Sequence, residues 1–393
     1  MAYRILSLDG GGSWALIQVR ALIDLYGGGT TGHQVLQDFD MVAANSGGSV
    51  VLGGLVENVS LDTLKGYFED DRLRRSIFSP TSSLADQALE ALIGLGPKYS
   101  AEAKLTALQR ILANTGSLPL DGITRGLRRS GSANDVRLLI VGFDYDRTRA
   151  VFFRSTESDG GYGKGNASTV TLADAIHASS NAPVNYFDGP ATFPDNPTLR
   201  YWDGAIAGCN NPVLTAVTEA ITIGISPDEI VALTIGTGNV CLAPPDSGNP
   251  PFVRSQEPPS LMRDLKKIAG SILADPPDAA TFIAHVMVEG GKGVNASLSR
   301  IVRMNPLVSP KWDKATNQWI SPNGLTAAQF NYLVVLDMDA IEDHQVDAIK
   351  QFADLWIAGN VTNQPIRMDS KTLACELGYE TYGAAKRAWN AIK

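Results

Sequence analysis

Met41-Val42-Ala43-Ala44-Asn45-Ser46-Gly47-Gly48 is the stretch whose reading decides how this chain folds. Four apolar residues make a short buried strand, the residues after them turn sharply, and the apolar run Ser49–Val56 reads as a helix. A second unit of the same kind lies upstream. Tyr3–Leu8 reads as a buried strand, Asp9-Gly10-Gly11-Gly12 ends it, and Trp14–Tyr26 has helical character. Two strand–turn–helix units in succession imply βαβ winding, and with it a mainly parallel central sheet in a three-layer α/β/α arrangement.

Composition agrees with a large folded body. The 393 residues are 44% hydrophobic and 19% charged, too apolar for a disordered chain, and their 38 glycines call for positional reasons. The formal net charge of −8 argues against a nucleic-acid binder and against strong electrostatic capture by anionic membranes. Cys209, Cys241 and Cys375 are widely spaced and include no CxxC pair, which fits a reducing compartment. The N-terminus has no signal-peptide core and no run approaches the length of a membrane span, so the expected location is cytoplasmic.

Further along, residues 61–134 read as a helical insertion, with Leu84, Ala88, Leu89 and Leu92 at helical spacing. Val136–Phe143 and Arg149–Phe153 form an expected hairpin, Leu172–Ser180 a helix, Arg200–Trp202 a strand, Pro212–Ile223 a helix and Ile230–Ile235 a strand. A proline-rich loop spans about residues 243–260. Helices are expected at Leu261–Leu273, Ala279–Glu289, Val346–Ala358 and Leu373–Ile392, and a strand at Tyr332–Asp337. The domain reading is a single catalytic domain over 1–360 and a C-terminal helical extension over 361–393. The arginine groups Arg72–Arg75 and Arg125–Arg129 read as solvated surface, and Asp337, Asp339, Glu342 and Asp343 as a helix start in preference to a calcium loop.

Three segments carry possible chemistry. Asp9-Gly10-Gly11-Gly12-Ser13 leaves backbone N–H groups uncovered at a helix N-terminus, where they can bind a phosphate or an oxyanion. Gly10-x-Gly12-x-x-Ala15 also fits a dinucleotide-binding turn, but Asp38 and Asp40 precede the second strand where that motif wants an acid at its end. Ala44-Asn45-Ser46-Gly47-Gly48 is a variant of the nucleophile elbow, with small residues two before and two after the serine. Ser-Gly-Gly equally suits an ordinary turn or N-cap. Tyr201-Trp202-Asp203-Gly204-Ala205 exposes a carboxylate at a strand end. His33, His177, His285 and His344 lack a triad-like setting, which favours a Ser–Asp dyad over a Ser-His-Asp triad.

In this order, Asp9–Gly12, the Ser46 turn, Ala178-Ser179-Ser180-Asn181-Ala182-Pro183 and Asp203-Gly204-Ala205 resemble the patatin-like acyl hydrolases, relatives of the cytosolic phospholipase A2 catalytic domain. Leu233–Gly238 is a weaker match. The resemblance implies a patatin-like fold, Ser46 as nucleophile, Asp203 as its partner, and an oxyanion hole in the Gly10, Gly11 and Gly12 loop, with Gly11 and Gly12 as the donors. Trp14 stands where the family usually carries an arginine and Ala44 where the elbow usually has glycine. The missing cation favours a neutral ester over a phosphate-bearing one.

The resulting expectation is a lipase- or phospholipase-type esterase acting through an acyl-enzyme, with a desolvated Asp203 as base. An acyltransferase and a non-catalytic binding or storage protein are the other readings. The substrate is a lipid or small ester, peripheral membrane contact is possible, and no cofactor or metal is implied.

Overall fold

Alternation along the buried strands sorts the core into two layers. The computed structural model describes residues 2–81, 97–156, 169–184, 186–256, 258–289, 299–366 and 377–393. One sheet is built from β1 (Tyr3–Leu8), β2 (Met41–Ala44), β3 (Arg137–Asp144), β4 (Arg149–Arg154), β5 (Ala191–Phe193), β6 (Asn196–Asp203), β7 (Ile230–Ile235) and, after the two-residue β8 (Asn239–Val240) outside it, β9 (Ile301–Met304). The hydrogen-bonded path runs β5-β6-β3-β2-β1-β7-β9, with β6 and β2 along one edge of β3 and β4 along its other edge. The five strands from β3 to β9 are mutually parallel, and β4, β5 and β6 run antiparallel to their neighbours. Leu6, Leu8, Val42, Ala44, Leu233 and Ile235 join one core, while Ile5, Met41, Ala43, Ile230 and Ala232 join the other, as the two-residue period of a strand requires.

Twelve α-helices lie among the described residues: α1 (Leu16–Tyr26), α2 (Gly32–Leu36), α3 (Ser46–Val56), α4 (Leu61–Glu69), α5 (Asp71–Ile77), α6 (Ala101–Ile111), α7 (Leu172–Ser179), α8 (Val213–Thr222), α9 (Leu261–Glu289), α10 (Ala327–Val335), α11 (Asp343–Ile357) and α12 (Tyr382–Ile392). Helices α1, α3, α7, α11 and α12 cover the first face; α8 and the C-terminal part of α9 cover the second. The α/β class with a mainly parallel sheet is therefore as the sequence implies. None of the described helices is long and apolar enough to cross a membrane.

The structure departs from the sequence reading in identifiable places. Tyr332–Asp337 is not a strand. Thr326 and Gln329 close a capping box that starts α10, and Phe330 and Leu333 bury one side of it. α9 runs unbroken through Pro276 and Pro277 where two helices were expected. Arg74 and Arg129 are buried, not solvated: Arg129 pairs with Asp40 at 2.9 Å, and Arg74 with Asp343. The Leu84–Leu92 pattern, the start of the Leu373–Ile392 helix and Cys375 lie outside the described residues.

Strand β9, unforeseen in the sequence, delivers a buried cation beneath the glycine loop. Arg303 is 2% exposed and donates to Asp9 Oδ2 at 2.6 Å and to Thr234 Oγ1 at 2.8 Å. Replacing it with Met leaves the Asp9 carboxylate buried and unpaired, and is expected to cost about 3–5 kcal/mol in urea unfolding. The double variant Asp9→Asn/Arg303→Met should recover most of that loss; a single-variant loss below about 1 kcal/mol would show that the pair adds nothing.

Candidate active site

The Ser46 turn is strained. Strand β2 ends at Ala44, Asn45 is extended (φ −131°, ψ 146°), and Ser46, at φ 49°, is the first residue of α3. A left-handed conformation at a non-glycine residue costs on the order of 1–3 kcal/mol and persists only where surrounding structure enforces it. That enforcement is visible here. The Ser46 N–H donates to Ser179 Oγ at 3.0 Å, and the Ser179 hydroxyl donates to Asn45 Oδ1 at 3.4 Å. Gly47 permits a close crossing, because a Cβ there would stand 2.5 Å from the Gly12 carbonyl oxygen.

Sheet register brings the carboxylate to the serine. Along one edge of β3, Ala44 lies opposite Ile140 and Asp203 opposite Gly142. Strand β4 pairs with Leu139–Asp144 along the other edge, so β2 and β6 must share this one and meet nearly end to end. The residue two beyond Ala44 therefore faces the last residue of β6. Asp203 is 4% exposed and Ser46 6%. Asp203 Oδ1 accepts from the Ala205 N–H at 2.9 Å and from Asn45 Nδ2 at 3.1 Å, and its own N–H donates to the Asn181 carbonyl at 3.0 Å. Burial pushes the Asp203 carboxyl above its ordinary range; the Ser46 hydroxyl, the Ala205 N–H, the Asn45 amide and the Lys104 charge pull it back without cancelling the rise.

The glycine loop crosses beside this pair. Gly10, part of the expected oxyanion loop, is not itself an available donor, since its N–H donates to the Asn210 carbonyl at 2.9 Å. Among the described residues the N–H groups of Gly11 and Gly12 have no protein acceptor. Thr237 Oγ1 donates to the Gly10 carbonyl at 2.7 Å and the Ser13 N–H to the Met338 carbonyl at 2.9 Å, which hold the loop from both sides. Gly12 has φ 55°, and a Cβ there would meet the Met338 oxygen at 2.4 Å.

An apolar pocket opens on Ser46, Gly12 and Gly47, walled by Val50, Phe68, Phe78, Leu108 and Phe187. Helices α4, α5 and α6 supply much of that wall. No histidine lines it; His177 is buried in α7, and burial holds its ring below the ordinary range. Trp14 points away into the core, its Nε1 donating to the Asp337 carbonyl at 3.1 Å and its ring edge-on to Phe352. Two cations that sequence reasoning missed do line the pocket, Arg74 and Lys104. Arg74 could be mistaken for a surface arginine, and Lys104 carries no sequence signal beyond its interior position on one turn of α6. Ser179, by contrast, sits in a segment already singled out.

Comparison with known proteins adds a family. A family model described as patatin-like phospholipase matches residues 6–217, more than half of the chain. Among solved structures, VipD from Legionella pneumophila is 13% identical, with 90% of this chain and 67% of that chain covered at a TM-score of 0.35. ExoU from the type III secretion system of Pseudomonas aeruginosa, in complex with SpcU, is 12% identical, with 74% and 50% covered at a TM-score of 0.28. Another ExoU structure is 13% identical, with 73% and 53% covered at 0.26. This chain thus spans two thirds of the length of VipD and half that of ExoU. No curated protein matches it.

Proposed function

This chain belongs to the patatin-like phospholipase family, and from that premise we propose that it is a serine acyl hydrolase that cleaves carboxylic esters of lipids through a Ser46–Asp203 dyad. The observation that carries this reading is a strained serine between strand and helix, with a buried carboxyl against its hydroxyl, at the wall of an apolar pocket.

The steps follow from the groups present. Asp203 takes the Ser46 hydroxyl proton as Oγ attacks the ester carbonyl, and the Gly11 and Gly12 N–H groups receive the oxyanion. Collapse expels the alcohol, which leaves with the proton from Asp203. Water then attacks the acyl-enzyme, Asp203 again accepts the proton, and the free acid departs as Ser46 regains its hydrogen. Desolvation is what makes an aspartate serviceable here, because a solvated carboxylate is too weak a base for a serine hydroxyl. The aromatic and aliphatic walls from α4, α5 and α6 suit an acyl chain.

Incubation with a fluorophosphonate probe is expected to give one covalent adduct, found on the peptide containing Ser46; a chain that takes no adduct would not be a serine hydrolase or a serine acyltransferase. Product analysis with and without an alcohol or thiol acceptor then separates hydrolysis from transfer. Gly12→Ala should lower kcat by about 10²–10³-fold with little change in KM, because the added Cβ displaces one oxyanion donor. An unchanged kcat would move the oxyanion site elsewhere. Against a panel of p-nitrophenyl esters and phospholipid vesicles, strong preference for vesicles would show that the lack of an arginine at position 14 does not bar phosphate-bearing substrates.

A further inference from the structure

The two oxyanion donors belong to peptide units whose carbonyl ends are gripped from behind. A peptide is planar and trans, so its N–H and the carbonyl that precedes it point in opposite directions. The Gly12 N–H shares a peptide with the Gly11 carbonyl, which accepts the Trp14 N–H at 3.1 Å as the short turn Gly12–Ala15 leads into α1. The Gly11 N–H shares a peptide with the Gly10 carbonyl. That carbonyl accepts the Thr237 hydroxyl at 2.7 Å, with Asn210 Nδ2 more distant at 3.4 Å.

The loop cannot aim these groups by itself. Glycine on both sides of the Gly10–Gly11 peptide removes the Cβ contacts that would otherwise limit its rotation. With its carbonyl free, the N–H could swing away from a developing oxyanion, and a donor that must be turned back during the reaction loses the benefit of preorganisation. The grip on the Gly11 carbonyl is main chain, which any non-proline residue at position 14 would supply. The grip on the Gly10 carbonyl is a side chain 227 positions away in sequence.

Thr237 is itself held still. It is 8% exposed and lies in the turn after β7, where the Gly236 N–H donates to the Met304 carbonyl at 2.9 Å and the Gly238 N–H to Asn305 Oδ1 at 2.6 Å. A Cβ on Gly236 would stand 2.2 Å from Asn305 Oδ1, and one on Gly11 would stand 2.2 Å from Thr237 Oγ1. The turn is thus pressed against the end of β9 on one side and against the glycine loop on the other.

We propose that Thr237 is a positioning residue of the oxyanion hole: by holding the Gly10 carbonyl, its hydroxyl keeps the Gly11 N–H aimed at the oxyanion that forms on the ester. The same hydrogen bond polarises the peptide and so strengthens its N–H as a donor. The inference rests on the dyad reading, with the Gly11 and Gly12 amides as oxyanion donors.

The test compares the full-length chain with Thr237→Val, which keeps the shape and loses the hydroxyl, and with Thr237→Ser, which keeps the hydroxyl. With p-nitrophenyl butyrate the valine variant should lose about 10–30-fold in kcat, short of the 10²–10³-fold for a donor removed outright, while KM stays within about twofold. The serine variant should remain within about threefold of wild type. A trifluoromethyl ketone supplies a second readout. Ser46 Oγ adds to its carbonyl carbon and Asp203 takes the proton, which leaves an oxyanion in the hole. Its affinity for the valine variant should fall by the same factor as kcat/KM, the signature of a loss confined to the transition state. A kcat loss under about threefold in the valine variant overturns the proposal, as do equal losses in both variants or a loss that the ketone affinity does not follow. A chain that folds with serine but not with valine marks the hydroxyl as a folding requirement and overturns it too. Ser46→Ala is assayed in parallel. Activity persisting there removes the dyad itself, whereas its loss beside an unimpaired valine variant removes only the role of Thr237.

Discussion

Ser46→Ala is expected to lower ester hydrolysis by at least about 10⁴-fold and to abolish fluorophosphonate labelling, while leaving the fold intact. The magnitude follows from what remains. Without the hydroxyl no acyl-enzyme forms, and the Gly11 and Gly12 amides can only polarise a carbonyl for attack by water. The backbone supplies an independent check that the loss is chemical. Ser46 sits at φ 49°, where alanine is as strained as serine but glycine is not. Ser46→Gly should be as inactive as Ser46→Ala, yet melt at a higher temperature, with a gain on the order of 1 kcal/mol from released strain. Substantial hydrolysis by either variant would place the nucleophile elsewhere. Equal stability of the two would mean that φ 49° is not being enforced.

What could be read from the sequence was whatever short-range pattern encodes. The strands Tyr3–Leu8, Met41–Ala44 and Ile230–Ile235 are mostly apolar runs because helices cover both faces, and such runs stand out between glycine turns. Ser46 and Asp203 were legible as candidates because each lies in a small-residue turn at or just after a strand end. Their approach was not, since it depends on β2 and β6 dividing one edge of β3, a register that no local pattern specifies. The polar supports were hidden for the same reason. Arg303 comes from a four-residue strand 294 positions after Asp9, and Lys104 from an amphipathic helix in which its charge looks solvated. What occupies the Gly10 N–H was also not legible, because its acceptor is the distant carbonyl of Asn210. The strand expected at Tyr332–Asp337 failed because Phe330 and Leu333, read with the Thr326 cap, follow helical spacing across the boundary assumed for it.

Asp203→Asn is expected to cost between about 10² and 10⁴-fold in kcat/KM at neutral pH, the range for losing a general base. Asparagine keeps the acceptor used by the Ala205 N–H, so the turn should survive. The dependence on pH is the sharper signature. Burial raises the Asp203 pKa in the folded chain above its ordinary value of 3.8. Wild-type activity should therefore fall about tenfold per pH unit on the acid side of that raised pKa, whereas the residual activity of the asparagine variant should show no such limb. Stability should move the other way. A carboxyl whose folded pKa is raised favours the native state below the unfolded pKa of 3.8 and loses that advantage as pH rises through the folded pKa. At neutral pH the wild type therefore bears a cost, of burying a charge or of taking up a proton on folding, that Asp203→Asn does not. The variant should unfold at higher urea concentration than wild type at pH 7, and the two should converge as pH falls towards 4. A variant that is inactive and also less stable at pH 7 would point to a structural aspartate; one that is inactive and more stable would show a site whose base is retained at the expense of the fold.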